Sequence, residues 1–413
     1  MKRAFKYRFC PTDAQALELS RTFGCVRKVC NLALSARSEA WTTRRERVGY
    51  GQTSVMLTGW KKTEELAYLA EVSSVPLQQA LRHLQSAFTE FWGKRSQYPR
   101  FKSKRKSRAS AEYTRSAFRY ADGRLTLAKM AEPLDVVWSR PLAEGVEPST
   151  VTVSRDGSGR WFVSLLCVDT PEPMPATTTA VGIDVGLTAL VTLSSGEKIP
   201  HPKRERRDRA RLVKAQRALA RKEKGSSNRA KARTRVARIH ARIADRRSDH
   251  LHKLTTRLVR ENQTLVIEDL TVRNMLKNHK LARAIADAAW REMRSMLEYK
   301  TAWYGRELII VDRWFPSSKL CSACGAIATT MPLNVREWTC GNCGTTHDRD
   351  ENAAVNLLTA GLAVTVCGDG GRPQRNTPER QRSVKQKTRP AREGVPPSAR
   401  RGERGQAVTV PLR

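Results

Sequence analysis

Acidic residues are scarce in this chain of 413 residues: 40 Asp and Glu stand against 76 Lys and Arg, for a formal net charge of +36. Such an imbalance is unsuited to an ordinary small-molecule enzyme. It calls for a polyanionic partner, and nucleic acid is the usual one. Long apolar runs are missing too. No stretch approaches the roughly eighteen residues of a membrane-spanning helix, and the N-terminus, MKRAFKYRFCPT, lacks the apolar run of a secretory signal. Cysteine is sparse. Of nine, Cys10, Cys25, Cys30, Cys167 and Cys367 are scattered without a pairing pattern, which speaks against a disulfide framework and suits a reducing cytosol. His201, His240, His250, His252, His279 and His347 show no metal-ligand spacing, and no internal repeat is found. The length leaves room for two or three domains with a sizeable core.

The remaining four cysteines are ordered. Cys321-Ser-Ala-Cys324 and Cys340-Gly-Asn-Cys343 are separated by fifteen residues, a spacing that fits a four-cysteine zinc ribbon. Trp314, Lys319, Arg336 and Trp338 decorate it and offer rings and cations to a nucleic-acid strand. Seven residues after the second pair, Asp350 opens a short apolar helix.

Along the chain, residues 4 to 10 alternate like a half-buried strand, and Thr12 or Asp13 can cap the helix after it. Apolar residues at helical spacing continue through LTGWKKTEELAYLAEV and VPLQQALRHLQSAFTEFW, the latter with Leu77, Leu81, Leu84, Phe88 and Phe91 on one face. Residues 12 to 95 therefore read as an antiparallel helical module. Tyr98-Pro-Arg-Phe-Lys102 opens a basic run. Beyond it the period becomes two, with hairpin turns at Asp122-Gly123 and Asp156-Gly157; a small β-barrel closed by strand 4 to 10 is expected. A Pro/Thr linker spans 171 to 179. From Ala180 strands alternate with helices, which indicates an α/β domain: two strands joined near Gly186, a basic helical stretch over 203 to 260 broken at Gly225-Ser-Ser-Asn228, strand TLVIEDL, one helix over 282 to 305, strand ELIIVD, the ribbon and a last helix. The stretch 203 to 260 holds 22 Lys and Arg against 5 Asp and Glu, without the acids that balance a solvated helix, so phosphate contact is expected there. The tail beyond Cys367 is rich in Pro, Gly and Arg and is expected to be disordered.

Three acids stand out by context. Asp184 lies inside an apolar strand, where carboxylates are depleted and costly. Glu268 and Asp269 end another strand. They point to opposite faces, so one of the two is expected in a site. Asp350 opens the last helix, with Asp348 competing for the same role. Acids at the ends of two strands and a helix can converge to hold two divalent cations about 3.5–4 Å apart. Oxygen ligands suit Mg²⁺. One cation would lower the pKa of an attacking water and the other would steady the leaving oxygen at phosphorus.

At these residues the chain resembles the TnpB family of insertion-sequence proteins (OrfB type), relatives of the type V CRISPR effector nucleases, over roughly residues 1 to 366. Gly182-Ile-Asp-Val-Gly186 looks like the first RuvC motif and Val266-Ile-Glu-Asp-Leu270 like the second. Asp348-Arg-Asp-Glu-Asn-Ala-Ala-Val-Asn356 looks like the third, and Pro316-Ser-Ser-Lys-Leu-Cys-Ser-Ala-Cys-Gly325 like the start of the ribbon. Phe23-Gly-Cys-Val-Arg27 and Tyr98-Pro-Arg-Phe-Lys102 are similar to wedge and recognition segments. Lys319 stands where the family often has Gln, with little effect expected.

The resemblance implies an α/β and α+β multidomain chain: a wedge β-barrel (1–11 and 96–178), an inserted helical recognition module (12–95), an RNase H-like RuvC nuclease domain (179–315 and 347–366), an inserted four-Cys zinc ribbon (316–346) and a disordered basic tail (367–413). It assigns the catalytic metal ligands to Asp184, Glu268 and Asp350, with Mg²⁺ or Mn²⁺ as catalytic ion and structural Zn²⁺ on Cys321, Cys324, Cys340 and Cys343. The implied activity is RNA-guided DNA cleavage, with a guide RNA from the transposon end pairing to double-stranded target DNA beside a short transposon-associated motif. Gln78 and Gln79 are candidates for base contacts, because Gln can pair with adenine. Tyr98, Arg100, Phe101, Lys102, Arg217, Arg221, Lys222 and Arg313 are candidates for other nucleic-acid contacts. A monomer on its RNA, in the bacterial cytoplasm and on the nucleoid when bound to DNA, is expected. The rival readings are an RNA-guided repressor, which intact acids argue against, a DNA-joining transposase, and a CRISPR-associated effector.

Overall fold

The computed structural model describes residues 1–105, 107–142, 145–332 and 334–367. The expected disordered tail, apart from Cys367, lies outside them. The contacts divide the chain into Met1–Thr365 and Val366–Arg413. The described part of the second unit is the last two residues of a helix, and every other element belongs to the first.

Strand β1 (Lys2–Cys10) turns Phe5, Tyr7 and Phe9 inward and Lys2, Lys6 and Arg8 outward. Thr12 is the helix cap. Its hydroxyl accepts the Gln15 amide while the Gln15 side chain accepts the Thr12 N–H, a reciprocal box that starts α1 (Asp13–Arg44). The helical stripe read over 57 to 72 divides into the end of α2 (Tyr50–Trp60) and a 3₁₀ turn at Glu64–Ala70, with Lys61, Lys62 and Thr63 between them. Helix α3 (Ser74–Trp92) buries Leu77, Leu81, Leu84 and Phe88 as its spacing predicts.

The next strands are β2 (Ala109–Thr114), β3 (Phe118–Ala121), β4 (Arg124–Leu127), β5 (Asp135–Val137), β6 (Pro148–Arg155) and β7 (Trp161–Val168). Four of them join β1 in an antiparallel sheet in the order β2-β6-β7-β1-β5, so β1 sits between β7 and β5. The pair β3-β4 is a tight hairpin in which Asp122 and Gly123 both adopt positive φ, 51° and 71°. This is the turn whose twist matches two antiparallel strands. Between β6 and β7 the positive φ falls on Gly159 rather than Gly157. Asp156 closes that loop by accepting the amides of Ser158 and Arg160. Helices α1 and α3 and this sheet share one continuous apolar core.

The second sheet contains β8 (Ala180–Val185), β9 (Ala189–Leu193), β10 (Lys198–Pro200), β11 (Thr264–Glu268) and β12 (Glu307–Val311) in the order β10-β9-β8-β11-β12. The first three are antiparallel neighbours, and β8, β11 and β12 run parallel. β10 adds a third strand to the expected pair, through a turn at Gly196 (φ 86°). The basic stretch is two helices, α4 (Arg204–Ala220) and α5 (Ser227–Glu261), which touch through a small cluster around Leu212, Ala215, Ile239 and Ile243. After α6 (Val272–Met275), the helix expected over 282 to 305 is two, α7 (Ala282–Ala288) and α8 (Trp290–Tyr304). Ala289 adopts a left-handed conformation (φ 53°) that ends the first. Leu254 and Leu258 of α5 and Met293 and Leu297 of α8 pack with Ile183 and Ile267 in a second core. The buried Lys300 ties α8 to α5 by donating to the His252 carbonyl and the hydroxyls of Thr255 and Thr256. A short pair, β13 (Glu337–Thr339) and β14 (Thr346–Asp348), leads into α9 (Arg349–Cys367).

Candidate active site and metal centres

Strand periodicity decides which acids share a face. Gly182 and Val266 are register partners on β8 and β11, and both face α9. A Cβ on Gly182 would fall 2.0 Å from the Ala354 carbonyl oxygen and 2.8 Å from the Leu358 amide. A Cβ on Gly361 would fall 2.6 Å from Val266. Glycine at these two places lets the helix lie directly on the strands. Two residues further along each strand, the side chains return to that face, so Asp184 and Glu268 point to the α9 side. On α9, Asp350, Ala354, Leu357 and Gly361 fall on one stripe, at i, i+4, i+7 and i+11. Asp350 therefore stands over the strand ends that carry Asp184 and Glu268.

The electrostatics agree with this placement. Asp184 keeps a partly open edge, but protein surrounds it closely enough that burial raises its carboxyl to about 8. The charges of Asp350 and Glu268 push in the same direction, and Arg349 opposes them. Burial also raises Glu268, helped by its neighbour Asp269. Neither carboxylate has a side-chain hydrogen-bond partner among the described residues. Asp350 is met by Arg336, at 3.4 Å, and by Arg349, at 3.5 Å.

The two competing acids are occupied elsewhere. Asp269, on the opposite face of β11, takes Arg294 of α8 and Arg313, and these hydrogen bonds hold its carboxyl below the usual range. Asp348 caps α9, accepting the amides of Asp350 and Glu351, and pairs with Lys198. Each of these acids has a structural task, while Asp184 and Glu268 have no side-chain partner among the described residues.

Beside Glu268 lies a cavity of about 590 Å³ with Ile183, Ile267 and Trp290 in its lining and Arg273, Arg291, Arg294 and Arg313 among its walls. Guanidinium groups next to a carboxylate cluster suit a phosphate-bearing strand.

The four cysteines meet more tightly. Their sulfurs lie within 4.8 Å of one another, with Cys321–Cys343 at 3.6 Å and Cys324–Cys340 at 3.7 Å. Among the described residues no other group of three or more Cys, His, Asp or Glu is gathered so closely; the three carboxylates are more spread. The two knuckles are built alike. Gly325 donates to the Cys321 carbonyl and Gly344 to the Cys340 carbonyl, each with positive φ. The repeated Cys-x-x-Cys-Gly is thus a turn written twice. A four-thiol set of this size is compatible with structural zinc.

Sequence reasoning missed what joins the ribbon to the acids. Asn352 and Asn356, 2% and 3% exposed, lie two and six residues beyond Asp350. Each side-chain amide donates to the Leu320 carbonyl, at 2.7 Å, and also reaches that of Ser317, while the Asn352 carbonyl accepts the Ser322 amide. Two asparagines four apart on an otherwise apolar helix were the available signal, since buried amides require partners. His347, which its spacing left without a role, places Nε2 3.0 Å from Cys321 Sγ and packs its ring at a tilt of 37° against Trp338.

The remaining candidates are dispersed. Gln78 is exposed, whereas Gln79 is 7% exposed and turned into the protein, which leaves Gln78 as the one of the pair open to solvent. Tyr98 and Phe101 are exposed, Arg100 is exposed and donates to Gln97, and the Lys102 backbone is held by the Asn31 side chain. Arg217, Arg221 and Lys222 are exposed at the end of α4. Arg313 is engaged with Asp269 and Thr271.

Residues 163–279 match a family described as "Probable transposase", of the OrfB type, and residues 290–357 match one described as "Cas12f1-like, TNB domain". Residues 1–46 match "Helix-turn-helix domain", although here they form β1 and one uninterrupted helix. A "Putative RNA-guided DNA endonuclease" of Streptomyces pristinaespiralis is 71% identical over 397 residues, covering 96% of this chain and 98% of its own. The "Putative RNA-guided DNA endonuclease InsQ" of Escherichia coli K12 is 33% identical over 412 residues, covering 92% and 98%. The protein in the "Cryo-EM structure of the Cas12f1-sgRNA-target DNA complex" shares the mixed α/β multidomain fold, with a TM-score of 0.53 at 14% identity over 87% of this chain and 98% of that one.

Proposed function

Because the chain belongs to the TnpB family, we propose that it is an insertion-sequence-encoded, RNA-guided DNA endonuclease whose cleaving centre is Asp184, Glu268 and Asp350. The observation that carries this reading is the shared face: two strand-end acids, without side-chain hydrogen-bond partners among the described residues, lie under a helix whose first turn brings a third. The order β10-β9-β8-β11-β12 supports an RNase H-like, RuvC-type nuclease domain, and the antiparallel sheet around β1 supports a wedge barrel.

Oxygen donors fit Mg²⁺ or Mn²⁺. The raised carboxyl of Asp184 fits a site in which a cation restores the ionised form. Asp184, Glu268 and Asp350 would hold the ions, which supply a Lewis acid and an activated water for phosphodiester hydrolysis. The protein's own contribution is the fixed placement of the three carboxylates, with Arg273 and Arg291 beside Glu268 receiving the strand. By the logic of RNA-guided effectors, guide pairing reads sequence and the protein reads a short flanking motif. The net charge of +36 accommodates RNA and DNA together.

The test is cleavage of a plasmid matched to the RNA that co-purifies with the protein. Wild type cuts and Asp184→Ala does not, with a loss of about a thousandfold or more. Equal inactivity of both sinks the nuclease reading. The description of the matching family as a transposase keeps a DNA-joining activity in view, and joined rather than merely broken products would establish it.

A further inference from the structure

The adjoining ends of α1 and α3 carry a patch that takes no part in the acid cleft or the ribbon. Trp41 on α1 and Trp92 on α3 are 45% and 46% exposed, and Tyr98, just beyond α3, is 43% exposed. Cations are threaded between these rings. The Arg47 guanidinium lies 6.0 Å from the Trp41 ring centre and 5.7 Å from that of Trp92, and Arg45 lies 5.8 Å from Trp41. Behind them Arg37 presses over Phe88 at 4.1 Å and approaches Trp92 at 5.9 Å.

Arg37 supplies positive charge beneath the exposed rings. It is only 5% exposed, and neither terminal nitrogen has a hydrogen-bond partner among the described residues. Unmet donors on a buried guanidinium are costly, and the ring of Phe88 offsets part of that cost. Two acids close by in sequence are already taken, Glu46 by Arg44 and Glu90 by Arg95.

We propose that this patch is a stacking platform for unpaired nucleotides: Trp41, Trp92 and Tyr98 take the faces of bases, Arg45 and Arg47 take phosphates, and the buried Arg37 adds positive charge beneath them. Rings alternating with guanidinium groups bind single strands with little regard to sequence, because every base has a face to stack. Bases within a duplex are already stacked, so the platform selects unpaired stretches. The inference rests on the proposed RNA and DNA partnership and assigns it a particular place. It also gives Tyr98 a structural setting, with its hydroxyl held by Ser38 at 2.8 Å and its ring packed edge-on against Phe88 and Phe91.

The test uses the full chain and single-stranded RNA of about 12 nucleotides carrying 5-bromouridine, photo-crosslinked and mapped by mass spectrometry. Binding is also compared with an abasic strand of equal length. Crosslinks are expected at Trp41, Trp92 or Tyr98. Trp41→Ala with Trp92→Ala should remove them and weaken the base-bearing strand by between about fivefold and a hundredfold. Affinity for the abasic strand should not change, and melting of the variant should match wild type. If crosslinks fall only elsewhere, or the double variant binds the base-bearing strand like wild type, the platform is wrong while the nuclease reading survives. If wild type binds neither strand, both fall.

Discussion

The ribbon and the acid cleft each gather side chains suited to a metal, by opposite means. In the ribbon, two copies of one local turn, Cys-x-x-Cys-Gly, bring four sulfurs within 4.8 Å. In the cleft, nothing local does the work. Asp184, Glu268 and Asp350 are 84 and 82 residues apart in turn, and they meet because two parallel strands share a register and a helix lies against one face. A locally built site depends on its own turns. A site built by topology depends on every contact that keeps the helix on the sheet, so its weak points lie away from the chemistry.

Gly182→Ala breaks that contrast most severely. Its Cβ would meet α9 backbone at 2.0 Å, which no side-chain adjustment relieves. Lifting α9 carries Asp350 away from Asp184, so cleavage should fall by about a hundredfold or more, as expected for a catalytic group displaced by roughly an ångström. Zinc content should stay at wild type, because the thiols are untouched. Loss of zinc alongside cleavage would show that the two sites are not independently built.

Asn352→Ala sharpens the comparison where the regions join. Removing the amide strands the Ser322 N–H and weakens the hold on the Leu320 carbonyl, at about 1–3 kcal/mol. Asn356 still holds Leu320. The melting temperature should drop by several degrees and cleavage by about tenfold. An unchanged melt would mean that these buried bonds do not couple ribbon to helix.

The smallest effect is on pH dependence. The Asp184 carboxyl is raised in the folded protein, from 3.8 to about 8. Its stabilising contribution is therefore complete below about 4 and is lost as pH rises through about 8. Without divalent ions, the difference in melting temperature between Asp184→Asn and wild type should widen in the variant's favour across that window. Adding Mg²⁺ should narrow it. A constant difference would mean that Asp184 ionises normally.

The same contrast explains what was legible in the sequence. The ribbon could be read from spacing because its geometry is written within a few residues. The hairpin at Asp122-Gly123 and the cap at Thr12 were legible for the same reason, although the cap's choice over Asp13 required its bond to Gln15. The acids stood out as carboxylates in apolar settings, but pattern alone left Glu268 and Asp269, and Asp350 and Asp348, undecided; the resemblance chose between them, and the physical reason lies in what Arg294, Arg313 and Lys198 do. Those partners are 25 to 150 residues distant, and pattern alone does not reveal them. The break at Ala289 was hidden because alanine favours helix, so its left-handed conformation is imposed by packing. The inward turn of Gln79 was hidden as well, since adjacent glutamines read alike until the helix is placed.

The central claim is that backbone periodicity, rather than proximity in sequence, selects the metal-binding acids. Calorimetric titration of Mn²⁺ into the full chain, with Glu268→Gln set against Asp269→Asn and Asp350→Asn against Asp348→Asn, tests it most directly. The account predicts that Glu268→Gln and Asp350→Asn weaken binding by tenfold or more, on the order of losing a ligand-supporting group, while Asp269→Asn and Asp348→Asn bind within about twofold of wild type. Equal weakening within each pair, or stronger weakening in Asp269→Asn or Asp348→Asn, would contradict it.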